Sequence, residues 1–214
     1  MRSPHHTAAI CGSDLHNFHG VLGSADVKIV LNTGANQGIG FEITKSLSSK
    51  PGYHVLLGSR DDHRGIKAAK DLKDQGLDVE PISIDRTLYV LINQHLCRRA
   101  HNRSLYSPPQ RIPKARTVFM SSITGSLTHR PVDLPVYRSS NTALNMLMLH
   151  YAFKFKDAGW KVNARCPGYC ATNLNDFAGM DTPENGALNA VRLATLGEYG
   201  ETGTFTSKEV VIAW

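Results

Sequence analysis

Apolar and polar positions along the chain switch between a strand-like and a helix-like period. VKIVLNTG (Val27–Gly34) is a β-branched apolar run that ends in turn residues, the pattern of a strand. IGFEITKSLSSK follows with Ile39, Phe41, Ile43 and Leu47 as its apolar positions and stops at Pro51–Gly52, which predicts a helix. YHVLLGS (Tyr53–Ser59) reads as a second strand, DDHRGIKAAKDLKDQG as a helix closed by Gly76, and DVEPISI (Asp78–Ile84) as a third strand. Downstream, RTVFMSS (Arg116–Ser122) reads as a strand, Tyr137–Lys156 as a long helix and WKVNARC (Trp160–Cys166) as a strand. TPENGALNAVRLATL (Thr182–Leu196) reads as a helix and TGTFTS as a last strand. Strands that alternate with helices of ten or more residues build parallel βαβ units, so the predicted class is α/β with a parallel sheet. No internal repeat is present.

At 214 residues the chain holds one domain, expected over residues 27–214 and preceded by an extension, residues 1–26. Apolar residues at 41% and charged residues at 20% exclude a disordered chain, and no apolar run approaches a membrane span. The opening MRSPHHTAAICGSDLHNFHG has no continuous apolar core, which predicts a cytoplasmic protein. Cys11, Cys97, Cys166 and Cys170 are widely spread, and CPGYC is neither a zinc-ribbon nor a thioredoxin spacing, so reduced thiols are expected and no metal site. Charge matters only once located: Arg86–Val132 contains no Asp or Glu and carries Arg86, Arg98, Arg99, Arg103, Arg111, Lys114, Arg116 and Arg130. The basic total of +6 therefore describes one segment. Tyr89, Tyr106 and Phe119 within it raise the reading of a nucleic-acid surface, but scattered arginines in loops are ordinarily just solvated, so nucleic acid is not the expected partner.

The chemistry starts at TGANQGIG, Thr33 to Gly40, where Gly34, Gly38 and Gly40 lie between a predicted strand and a predicted helix. Glycines there let the backbone turn tightly and approach a pyrophosphate seated at the helix N-terminus. Thr33, Gly34, Asn36, Gly38, Ile39 and Gly40 are the candidate cofactor contacts. The second strand ends in GSR, and Arg60 stands where an acidic residue would take the ribose hydroxyls of NAD, with Arg64 one turn on. Two guanidiniums suit a 2′-phosphate and favour NADP(H).

TGANQGIG, the serines Ser121–Ser122 after a strand, Tyr137 at the head of a long helix and Pro167–Gly168 occur in the order and spacing of the short-chain dehydrogenase/reductase family, which the chain resembles over roughly 27–85 and 116–214. VLLGSRDDHRG looks like its NADPH-dependent carbonyl-reductase members. The resemblance implies a doubly wound, three-layer, Rossmann-type fold and hydride transfer to or from a small carbonyl or alcohol substrate. It further implies that Ser122 holds the substrate carbonyl and that Tyr137 is the general acid or base. Asp85 would touch the adenine, and Pro167, Gly168 and Thr172 would flank the nicotinamide. A homo-oligomer is compatible with this.

Three departures qualify the expectation. The family has a lysine four residues after the tyrosine, and YRSSN has Asn141 there. The lysine would lower a phenol pKa from about 10 and hydrogen-bond the nicotinamide ribose, whereas Asn141 keeps a hydrogen bond and supplies no charge. A loss of two or three pKa units is about 3–4 kcal/mol in the barrier. The alternative to an impaired oxidoreductase is therefore a weak or inactive relative that binds the nucleotide. Second, LYVLINQHL (Leu88–Leu96) looks like the family's fourth strand, yet only Asp85, Arg86 and Thr87 separate it from the third. Three residues extend at most about 10 Å and cannot return along a strand and cross a sheet, so the fold is expected to be incomplete around strand four. Third, AAICGSDLHNFHG (Ala8–Gly20) resembles the segment of medium-chain zinc alcohol dehydrogenases that supplies a zinc thiolate. Cys11, His16 and His19 lack a standard spacing and further ligands, so this stretch is expected to be an extension.

Overall fold

The strand and helix patterns above become a parallel sheet covered on both faces. In the computed structural model, residues 8–10, 27–84, 114–129, 133–208 and 210–214 are described. The elements are β1 (Ala8–Ile10), β2 (Lys28–Thr33), α1 (Gly38–Ser48), β3 (Tyr53–Ser59), α2 (Asp62–Lys73), β4 (Val79–Ser83) and β5 (Arg116–Met120). They continue as α3 (Pro135–Lys154), β6 (Lys161–Cys166), α4 (Pro183–Ala194), β7 (Phe205–Ser207) and β8 (Val210–Val211). Strand order is β4-β3-β2-β1-β5-β6-β7-β8, parallel except for the antiparallel β7–β8 pair at the edge. The fold is the doubly wound Rossmann type that the sequence predicts.

Side chains that alternate along each strand reach both faces. On β5, Val118 joins Val30, Val55, Ile43, Leu47, Ala187 and Leu193 beneath α1 and α4, while the next residue, Phe119, joins Met148, Phe155, Trp160 and Val162 beneath α3. Leu57, two residues after Val55 on β3, packs with Ala68, Leu72 and Val79, which places α2 on the α1 side. Asp61 caps α2 by accepting the Arg64 N–H at 3.0 Å, and Gly76 closes it in the left-handed region at φ +80°. Thr182 caps α4 through the Asn185 N–H at 3.2 Å, with Pro183 in its first turn.

The fourth position of the sheet differs from expectation. It is filled, but not from the segment after β4: the slot between β2 and β5 holds β1, with Ala8 to Ile10 pairing Val30 to Asn32 on one side and Arg116 to Val118 on the other. The stretch read from sequence as an extension thus contributes a central strand. The short link before Leu88–Leu96 then poses no obstacle, because residues 84–115 as a whole join β4 to β5, length enough to return along a strand and cross three intervening strands, about 19 Å at the usual strand spacing. Leu88–Leu96 itself, most of the basic segment and Asp85 lie outside the described residues.

Candidate functional site

The C-terminal ends of β2, β5 and β6 point to one edge of the sheet, and the loops there carry most of the predicted residues. After Thr33, Gly34 turns at φ +66° and Gly38 at φ +57°, a region side chains rarely adopt. The Ala35 N–H donates to the Gly58 carbonyl at 2.9 Å, while the Asn32 amide donates to the Gly40 carbonyl at 2.7 Å and to Thr44 Oγ1 at 2.8 Å. The turn is therefore tied to both β3 and α1. At Gly40 an added Cβ would stand 2.3 Å from the Gly34 carbonyl oxygen, so the first turn of α1 folds directly onto the turn that precedes it. Gln37 at the N-cap makes no side-chain cap and the first turn holds no acid, which leaves the helix N-terminus available to an anion. Gly40→Ala should cost about 1–3 kcal/mol of stability, several degrees in Tm, and weaken nucleotide binding; calorimetry with and without NADPH checks both.

The facing wall is the loop after β6. Gly168 turns at φ +83°, and Thr172 Cγ2 lies 3.4 Å from where a Cβ on Gly38 would be. Asn173 Nδ2 donates to Gln37 Oε1 at 3.2 Å, and the loop closes through the Ala171 N–H to Asp181 carbonyl bond at 2.8 Å. Thr172 and Asn173 are thus brought against the glycine loop, and Pro167 and Gly168 stand at the head of the same loop. One contributor went unread in the sequence: Arg165 on β6 is buried and donates to the carbonyls of Cys166 and Gly186, pinning the root of this loop to the first turn of α4. Burial lowers its pKa to about 10. Lys161 and Asn163 are also polar in this strand, so nothing in the sequence distinguished Arg165. Cys166 and Cys170 are buried free thiols, and burial raises the Cys170 pKa.

Ser122 and Tyr137 approach the site from β5 and α3. Ser122 is buried, and its Oγ accepts from the Thr124 N–H at 3.3 Å and the Thr124 hydroxyl at 2.9 Å. Both lone pairs are then used, so the Ser122 proton is free to donate to a ligand oxygen. Tyr137 stands in the first turn of α3 and is 47% exposed. Asn141, one turn on, is only 8% exposed: its Nδ2 donates to the Tyr137 carbonyl at 2.8 Å and its Oδ1 accepts from Ser121 Oγ at 3.4 Å. Its amide is engaged within the protein, between α3 and the Ser121–Gly125 turn, instead of being held out toward a ribose. A further turn along, Asn145 is 2% exposed and neither amide atom has a hydrogen-bond partner among the described residues. An unpartnered buried amide is costly, so Asn145→Leu should raise stability by about 1–3 kcal/mol in denaturant titration. A fall in stability would show that the amide is satisfied by another group.

The guanidiniums sit at the end of β3. Arg60 is exposed and forms no ion pair among the described residues, whereas Arg64 Nε lies 3.4 Å from Asp61 Oδ2. The carboxylate that caps α2 is itself held below its ordinary pKa, first by the Arg64 N–H. Arg60 is therefore the freer cation for a phosphate. Asp85 is outside the described residues, as are Cys11, His16 and His19, and no group of three His, Cys, Asp or Glu able to hold a metal occurs among the described ones. No described helix is long and apolar enough to cross a membrane.

No family model matches the chain. The short-chain dehydrogenase/reductase ATR10 of Stachybotrys chlorohalonatus is 29% identical over 248 residues, taking in 86% of this chain and 89% of that protein. Since the alignment runs over more positions than this chain has residues, that relative carries residues inside the span that are missing here. Carbonyl reductase (NADPH) 1 of Rattus norvegicus is 46% identical over 54 residues, 25% of this chain and 20% of that protein. The structure of salutaridine reductase from Papaver somniferum superposes with a TM-score of 0.68 at 21% identity, covering 84% of this chain and 99% of that one. These likenesses support the short-chain dehydrogenase/reductase family and the fold. They give no support to the zinc alcohol dehydrogenase resemblance of residues 8–20, and the backbone of residues 8–10 is a strand of this sheet.

Proposed function

We propose that this chain is an NADP(H)-dependent oxidoreductase of the short-chain type that interconverts a small carbonyl compound and its alcohol, at a rate lowered by Asn141. The observation that supports it most is the glycine turn: Gly40 seated on the Gly34 carbonyl with no room for a Cβ, Gly34 and Gly38 at positive φ, and an α1 terminus with no side-chain cap and no acid form a cradle that an anionic pyrophosphate fits. Thr33, Gly34, Asn36, Gly38, Ile39 and Gly40 would hold the pyrophosphate, and Arg60, with Arg64 beside it, the 2′-phosphate. Pro167, Gly168 and Thr172 would flank the nicotinamide, which supplies the hydride when bound. The NADPH named for the carbonyl-reductase relative agrees with the arginine assignment.

Each protein group then has one task. Ser122 donates its free proton to the substrate oxygen and orients the carbonyl. Tyr137, exposed at the head of α3, gives its phenolic proton to that oxygen as charge develops, and takes it back in the reverse direction. Asn141 fixes the Tyr137 backbone and itself supplies the phenol no positive charge. That same observation supports the second reading, in which the nucleotide binds and turnover is negligible.

Fluorescence titration with NADPH and NADH, followed by assays on a panel of aldehydes and ketones, tests both. NADPH should bind more tightly than NADH, and Arg60→Asp should narrow or reverse the difference, by about tenfold or more if the guanidinium–phosphate contact is worth 1.5–3 kcal/mol. Equal affinities for the two nucleotides in the unmodified protein would remove the NADP assignment. Tight NADPH binding with no turnover of any carbonyl would favour the second reading.

A further inference from the structure

The strand order reverses at β1. β2, β3 and β4 step away on one side and β5, β6 and β7 on the other, and in open α/β sheets the ligand crevice lies outside the strand ends at such a reversal. β1 is therefore the strand that touches both halves of the site. On one side Ile10 is opposite Asn32, whose amide holds the glycine turn at Gly40 and Thr44. On the other it is opposite Val118 of β5, which leads into Ser121 and Ser122. The tripeptide Ala-Ala-Ile is apolar throughout its sequence. It is also very short, and residues 11–27 lie between it and β2 along the chain. The conformational entropy of ordering three residues is of the same size as the hydrogen bonds that two short ladders return, so its seating is finely balanced.

We infer that the gap between β2 and β5 is a strand-accepting site, that its occupant is this chain's own Ala8–Ile10, and that seating of this strand is coupled to nucleotide binding. The coupling rests on the nucleotide cleft proposed above; the occupancy of the gap does not. A nucleotide that binds the seated form more tightly by some factor must stabilise seating by the same factor.

Hydrogen exchange on the full-length protein, read by mass spectrometry with and without NADPH, tests this. Without nucleotide, the amides of Ala9 and Ile10 should exchange more slowly than in a free peptide, and saturating NADPH should slow them further, by about 5- to 150-fold. Free-chain exchange at residues 8–10 together with protection of residues 88–96 would overturn the occupancy, since another segment would then fill the gap. Ala9→Pro removes an amide donor from the middle of a doubly paired strand, which a central strand does not tolerate. It should weaken NADPH binding tenfold or more, whereas Val211→Pro in the edge pair should leave NADPH affinity as it was. A folded Ala9→Pro that binds NADPH like the parent would overturn the coupling. If Ala9→Pro fails to fold, the exchange response of the unmodified protein to NADPH decides. If the unmodified protein binds no NADPH, the nucleotide reading and the coupling fall together, while protection of residues 8–10 still decides the occupancy.

Discussion

Tyr137→Phe should lower NADPH-dependent carbonyl reduction by about 10²- to 10⁴-fold, the usual worth of a positioned proton donor, and leave NADPH affinity and Tm unchanged. The ring of Tyr137 lies in the first turn of α3 and is half exposed, so phenylalanine replaces it without disturbing the core beneath α3, which is made by Met148, Ala152 and Phe155 further along the helix. The hydrogen bond that α3 needs at this point is to the Tyr137 carbonyl, from Asn141, and it survives the substitution. Ser122 would remain as a donor to the substrate oxygen, held in place as an orienting group by its two accepted bonds from Thr124. Initial rates at saturating NADPH make the measurement. Turnover that persists in Tyr137→Phe would place the proton on another group and remove Tyr137 from the proposed mechanism.

Most of the fold was legible because the strands of a covered parallel sheet are apolar along their length and their punctuation is strong. Tyr53–Ser59 needed no correction, and Gly76 and Thr182 mark their helix ends by a positive φ and a side-chain cap. The glycine turn was legible for the same reason: backbone demands at Gly34, Gly38 and Gly40 restrict the sequence directly. What escaped was the origin of the strand between β2 and β5. Pairing between segments distant in sequence leaves no periodic trace, and a three-residue strand such as Ala8–Ile10 is shorter than any pattern of alternation can resolve. The topological objection to Leu88–Leu96 was a statement about chain length, which physics decides from sequence alone; the identity of the strand that replaces it was not. Asn141 was seen as a missing charge, but its burial against Ser121 and Gly125 depends on how closely α3 approaches the turn after β5, and tertiary packing sets that distance. Arg165 was invisible as a site residue for a related reason. Its partners are main-chain carbonyls, which every sequence has.

Asn141→Lys should raise carbonyl reduction by roughly ten- to a thousandfold, about 1.4–4 kcal/mol of the barrier. The geometry sets both the gain and its limit. Helical side chains lean toward the N-terminus, so a lysine stem at 141 runs toward Tyr137, and its ammonium has three donors with which to keep the Tyr137 carbonyl, meet the Ser121 hydroxyl and still face the phenol. A positive charge there favours the phenolate. Burial opposes the charge, because Asn141 is 8% exposed and a Cβ on Gly125 would lie 2.8 Å from its own, so the longer side chain must push α3 and the turn apart. The gain therefore sits below what a fully solvated lysine would give, and some stability is lost with it. Tyr137→Phe on the Asn141→Lys background should erase the gain, since the proposed mechanism gives the proton to Tyr137 alone. An Asn141→Lys protein that folds, binds NADPH and reduces none of several aldehydes and ketones any faster would show that the charge was not the decisive loss. The residues that the ATR10 relative carries and this chain lacks would then be the better cause, and the nucleotide-binding reading without turnover would stand.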